Sequence, residues 1–177
     1  MKRKEAAPMN IRKATLADLP RMLEIYAYAR EQMRQNGNPT QWGSATPAES
    51  VLRQDIAAGN SYVAEEKGRV CGAFAFILGD DPTYRVIEGR WLSDAPYGTL
   101  HRVASDGTAR GFLAACVDFC RARTPHLRAD THENNRIMRH LLLKLGFQYC
   151  GVIHIADGTP RLAYEAGAGD DPLHPQS

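Results

Sequence analysis

Residues 70–78 read Val-Cys-Gly-Ala-Phe-Ala-Phe-Ile-Leu, a run with no charged or hydrogen-bonding polar side chain. It is far short of the ~20 apolar residues that cross a membrane. Apolar residues at every position, rather than at every second one, suit a strand whose sheet is covered on both faces. Residues 61–66 before it are also strand-like, and Lys67-Gly68-Arg69 between the two is a hairpin turn. A chain built around such a strand must cover both faces of the sheet, and the remaining sequence offers helices to do so.

Residues 10–14 read as a first strand. Thr15-Leu-Ala-Asp18 then forms a variant capping box. Leu19, Met22, Leu23, Tyr26 and Arg30 recur at helical spacing until Asn36-Gly37-Asn38-Pro39 stops the helix. Thr46-Pro47-Ala48-Glu49 predicts a second helix, with Thr46 as N-cap and Pro47 at its first position, running to about residue 58. After the hairpin, residues 79–98 form a long irregular connection, a length more often functional than idle. Residues 99–105 read as a strand, and Phe112, Leu113, Cys116, Val117 and Cys120 as one helix face. A strand at 127–131 and a helix capped by Asn134 or Asn135 follow, the latter with Met138, Leu141, Leu142 and Leu145 on one face. Strands at 147–155 and 161–165 flank the turn Asp157-Gly158. This alternation predicts a central sheet with helices packed on it.

A chain of 177 residues suits one domain with a sizeable core. We expect that domain over residues 9–165, with flexible ends at 1–8 and 166–177. The formal charge of +2 argues against a nucleic-acid partner. No apolar stretch follows the basic start as it would in a secretory signal. Cys71, Cys116, Cys120 and Cys150 form no metal-ligand pattern. The expectation is a reduced, cytoplasmic protein with no membrane partner and no metal.

Residues 103–112, Val-Ala-Ser-Asp-Gly-Thr-Ala-Arg-Gly-Phe, leave a strand and open a helix through two glycines. The unpaired N–H groups and positive dipole end of a helix start make an anion site suited to a pyrophosphate. Gly107 and Gly111 let the backbone come close to a ligand. Residues 100–144 also carry eight Lys and Arg against four Asp and Glu, a surplus hidden by the whole-chain balance.

Downstream, Asn135-Arg-Ile-Met-Arg-His-Leu-Leu-Leu-Lys-Leu-Gly-Phe147 is a capped helix ending in Leu-Gly-Phe before a strand. With the turn at 108–113 one helix and one strand upstream, and the opening Ile11-Arg-Lys-Ala-Thr-Leu-Ala-Asp18, it resembles the GCN5-related N-acetyltransferase (GNAT) superfamily over about residues 10–165. That resemblance implies an α/β (α+β) fold with a mixed, mostly antiparallel central sheet, helices on both faces, and splayed fourth and fifth strands. It implies transfer of an acetyl group from acetyl-CoA to a primary amine of a small molecule by direct attack. Val103 would offer backbone to the pantetheine arm. Gly107, Thr108, Ala109, Arg110, Gly111 and Phe112 would hold the pyrophosphate, and Asn135 would sit beside the arm. A homodimer is a further implication.

The turn departs from the family's Gln/Arg-x-x-Gly-x-Gly/Ala, with Thr108 at its first position and Leu113 at its last. The family's frequent acid-donating Tyr falls on Leu142. His101, His132 and Glu88 are the candidates to carry protons instead, since an imidazole of pKa roughly 6.5 can accept one from an ammonium. Trp42, Tyr84 and Trp91 are candidates to wall the acceptor pocket. Leu113 and Leu142 also motivate a rival expectation: a non-catalytic ligand-binding or sensor protein on the same fold.

Overall fold

A computed structural model describes residues 9–167. The ends expected to be flexible, 1–8 and most of 166–177, lie outside the described residues; Ala166 closes the last strand. The strands are β1 (Asn10–Lys13), β2 (Ser61–Glu66), β3 (Arg69–Leu78), β4 (Glu88–Gly89), β5 (Gly98–Ser105), β6 (Leu127–Thr131), β7 (Gln148–His154) and β8 (Pro160–Ala166). The helices are α1 (Leu19–Gln35), α2 (Glu49–Ala57), α3 (Phe112–Arg121) and α4 (Arg136–Lys144). All strands join one sheet in the order β1-β2-β3-β5-β6-β8-β7-β4. Every pairing is antiparallel except β5 with β6.

The fully apolar run lies in β3, third from one edge and flanked by β2 and β5. Its alternate residues go to different layers. Phe74 and Phe76 pack with Phe112, Leu113, Cys116, Val117 and Cys120 of α3 and with Leu142 of α4. Ala73 instead packs with Leu19, Met22, Ile25 and Tyr26 of α1 and Leu52 of α2. The period of two in the strand thus meets the period of 3.6 in the helices on both sides. Among the described residues no α-helix covers the α1 side at the other end of the sheet. There residues 79–98 fold over it and bury Tyr84 and Tyr97 against Ile153 and Ala163. This explains the length of that connection, which also carries β4, too short to be read from sequence.

Two boundaries differ from expectation. The α2 N-cap is Ala48, whose carbonyl accepts the Leu52 N–H at 3.2 Å, so Thr46 and Pro47 stand outside the helix, joined by a cis peptide bond. In α1 the buried stripe includes Ile25, while Arg30 leaves it to reach the Thr46 carbonyl.

Candidate active site

Two parallel strands separate at the centre of the sheet. The β5–β6 register contains only Gly98↔Leu127 and Thr99↔Arg128, after which the strands diverge. These are the fourth and fifth strands of the sequence reading, renumbered by the small β4. On its other side β5 carries a bulge. Ala73 of β3 pairs with Ala104, but Ala75 pairs with His101, so β5 holds one extra residue. Arg102 within it has φ 51°, a left-handed conformation that costs a non-glycine residue about 1–3 kcal/mol. Two helices hold it there. Arg102 Nε and Nη2 donate to the Asp55 carboxylate of α2 at 2.8 and 2.9 Å. The Tyr26 hydroxyl of α1 donates to the Arg102 carbonyl at 2.7 Å.

The splay opens a cavity of about 520 Å³. Leu100, His101, Arg102 and Val103 form one wall, and Ala129, Asp130 and Thr131 of β6 the opposite one. Leu113, Asn135, Met138 and Leu142 close one side; Gln41, Trp42 and the hairpin residues Asp157, Thr159 and Arg161 close the other. Gln41 staples its loop to the sheet: Oε1 accepts from Asn135 Nδ2 at 3.1 Å, and its carbonyl accepts from Arg161 Nη2 at 3.0 Å. Met33, Val103 and Asn135 also line a second hollow of about 320 Å³ that runs past Tyr28 to Gly107. The two hollows adjoin at these shared residues, one reaching Gly107 and the other the hairpin, and are together called the groove.

His101 places an imidazole on the main cavity wall. Its Nε2 lies 3.0 Å from Asp81 Oδ2, and its Nδ1 lies 4.0 Å from Asp130 Oδ2. The hydrogen bond to His101 holds the Asp81 carboxyl below its ordinary range, with the Thr83 N–H adding to the effect. Asp130 also accepts the Tyr84 hydroxyl at 2.6 Å. Tyr84 is buried, and burial beside Asp130 raises its pKa well above that of free tyrosine.

Four residues beyond Gly107, Gly111 caps α3 with φ 70°. Ala115 N–H already bonds the Gly111 carbonyl, which leaves the N–H groups at 112–114 as the helix's open donors. Space lies open where a Gly111 Cβ would stand, whereas one on Gly107 would meet the Tyr28 hydroxyl at 2.8 Å. Leu113 packs in the core cluster of α3 and also lines the main cavity.

The candidates sort accordingly. His101, Val103, Asn135 and Trp42 line the cavity, and Gly107, Ala109, Arg110, Gly111 and Phe112 surround the helix start. Thr108 departs from its expected role: its N–H and hydroxyl both donate to Asp106 Oδ1, at 3.0 and 2.6 Å, and so are engaged. His132 lies outside the cavity lining; its Nδ1 accepts the Asn134 N–H at 3.0 Å, fixing a turn. Burial and Arg161 lower its pKa. Glu88 is exposed at the far sheet edge, 3.9 Å from His154. Tyr84 supports Asp130 from within the core, and Trp91 donates to the Tyr84 carbonyl and stacks on Arg128, so neither is pocket wall. Sequence reasoning missed Asp81, Asp130, Gln41 and Arg161. Asp130 alone had a legible signal, a carboxylate in a strand otherwise suited to burial.

A mixed sheet with a parallel splay, a bulged strand on one side of it and a glycine-capped helix at its mouth defines an acyltransferase-type fold. No family model matches the sequence, and no curated protein does. Among solved structures, a GNAT-family acetyltransferase from Streptococcus agalactiae 2603 is 33% identical, with TM-score 0.81 over 92% of this chain and 96% of that one. The ribosomal-protein-alanine N-acetyltransferase of Brucella melitensis is 25% identical, with TM-score 0.59 over 89% and 99%. A GNAT-family acetyltransferase from Listeria monocytogenes 4b F2365, 18% identical over 91% and 95%, shares the fold at TM-score 0.68. The chain belongs to the GNAT family, and it is an acyl-CoA-dependent N-acetyltransferase.

Proposed function

We propose that the enzyme moves an acetyl group from acetyl-CoA to the primary amine of a small molecule. The observation that carries this reading is His101, on the wall of the cavity where β5 and β6 part, with its Nε2 3.0 Å from Asp81 Oδ2. The cavity, about 520 Å³, has the scale of a small-molecule site.

The residues divide the work along the groove. The open N–H groups at the start of α3, with the helix dipole, suit the pyrophosphate. Unpaired β5 backbone around Val103 suits the pantetheine amides, and Asn135 stands beside it. The ionised Asp81 accepts the hydrogen on His101 Nε2, which leaves Nδ1 as the basic nitrogen. Nδ1 takes one proton from the acceptor ammonium. The freed amine attacks the thioester carbonyl, an N–C bond forms, the C–S bond breaks, and the second nitrogen proton passes to the thiolate. Leu142 stands at the family's acid position and cannot donate, so water in the groove carries that proton.

A sensor without turnover is the rival reading, and Leu142 at the cavity wall favours it. Thiol release from acetyl-CoA, followed across a panel of small amines, separates the two. Steady release above background with any amine supports catalysis. Release with none, alongside calorimetric binding of acetyl-CoA, supports the sensor. Failure to bind acetyl-CoA at millimolar concentration overturns both.

A further inference from the structure

Arg161 has no place in the chemistry above, yet it is 6% exposed and lines the cavity. Its Nη1 donates to the Pro160 carbonyl at 3.0 Å and its Nη2 to the Gln41 carbonyl at 3.0 Å. A guanidinium has five N–H donors, and two backbone carbonyls leave its charge uncompensated. Among the described residues no carboxylate lies within 4.0 Å of it. Of the two carboxylates four residues away in sequence, Glu165 is paired with Arg128, and Asp157 is turned to Thr159, accepting its N–H at 2.8 Å and also its hydroxyl. Buried arginines ordinarily find an anion. Burial accordingly lowers the Arg161 pKa, against the pull of Asp130 and Asp157.

The sheet places a second charge at a fixed offset. Asp130 of β6 pairs with Ala163 of β8, two residues from Arg161 on the same face. Diagonal neighbours of this kind have Cα atoms roughly 7–8 Å apart. The cavity thus presents Asp130 and His101 at one point and a guanidinium at another. We propose that the acceptor is a small amine that also bears a carboxylate, an amino-acid-type zwitterion. Its carboxylate pairs with Arg161 while its ammonium sits by Asp130 and His101. The planar fork of a guanidinium matches a carboxylate better than it matches any neutral group. This inference rests on the acetyltransferase reading and names its substrate class.

The test compares free amino acids with their carboxamides and their decarboxylated amines, at equal concentrations of unprotonated amine, in wild-type enzyme with acetyl-CoA. We expect kcat/KM to favour the carboxylate-bearing member by roughly a hundredfold or more, since a site built for a polar group strongly rejects the analogue lacking it. Arg161→Met should raise KM for amino acids by about tenfold or more beyond whatever change it makes for the decarboxylated amines, and Arg161→Lys should restore part of that difference. Where Arg161→Met does not fold, the wild-type panel and Arg161→Lys decide. Equal kcat/KM across the panel overturns the inference and leaves the acetyltransferase reading standing. An equal loss for every acceptor in both variants also overturns it, because that is what a brace for the Gln41 loop would do. Thiol release with no amine, with no change in Trp42 fluorescence on adding amino acids, overturns both.

Discussion

A histidine is read by its partners. His101 and His132 are both buried or nearly so, but Asp81 and Asp130 flank the first at the cavity wall while a backbone N–H engages the second. His101→Gln should lower kcat by about 10²-fold or more, the range of general-base catalysis, with little change in KM for acetyl-CoA. His132 affects stability instead. Burial puts its folded pKa below the ordinary 6.5, so the unfolded chain binds a proton that the folded one refuses. The stability it contributes is intact above pH 6.5 and is lost as the pH falls through the window below that value. Urea denaturation at successive pH values should show this decline, and His132→Gln should flatten it. Sequence could name both imidazoles as proton carriers but could not rank them, since Asp81 reaches His101 from a loop twenty residues away.

Strand β5 and helix α3 are the elements that set the groove. The bulge at Arg102 breaks the β3 ladder, and the Asp55 and Tyr26 contacts brace it from two helices on one face. Nothing in residues 98–105 announces a bulge, because the strained residue is an arginine and its supports come from α1 and α2. The start of α3 was legible, since a glycine before an amphipathic run is a local signal. Gly111→Asp should weaken CoA binding by about tenfold or more in calorimetry, because it sets a carboxylate against a pyrophosphate. The protein should keep its melting temperature within a few degrees: open space surrounds the new side chain, and Asp tolerates a left-handed φ better than most residues. Unchanged affinity would remove the pyrophosphate from this turn.

The whole molecule holds a sheet covered by α1 and α2 on one face, by α3 and α4 on the other, and by the loop at 79–98 where helices are missing. That loop is tied in by charge. Glu165 is fully buried, bonded by Arg128 Nε at 3.2 Å and by the Leu92 N–H at 2.6 Å. Arg128 is itself stacked between Trp91 and Tyr97, its guanidinium carbon 4.0 and 3.9 Å from the ring centres. Glu165→Ala leaves that cation buried without its anion and should cost about 3–5 kcal/mol in chemical denaturation. Hydrogen exchange should rise first in residues 79–98. Sequence placed Trp91 and Tyr84 near an acceptor because aromatic rings in a long loop suit a pocket, but they instead line the loop's own core.

Local patterns were enough for the four helices and the longer strands and for their order, though not for the two-residue β4. The apolar run at 70–78, the helical stripes and the Asn135 cap each depend on residues a few positions apart, and the sheet with helices on both faces follows from them. The residues that touched at long range were decided only by tertiary structure. His101 meets Asp81, Arg102 meets Asp55, and Arg161 meets Gln41 across separations of 20, 47 and 120 residues. Periodicity carries the burial of one element's face, which is local physics. The partner of a charged side chain depends on which strands lie side by side, and that is settled only when the sheet closes around β3 and parts between β5 and β6.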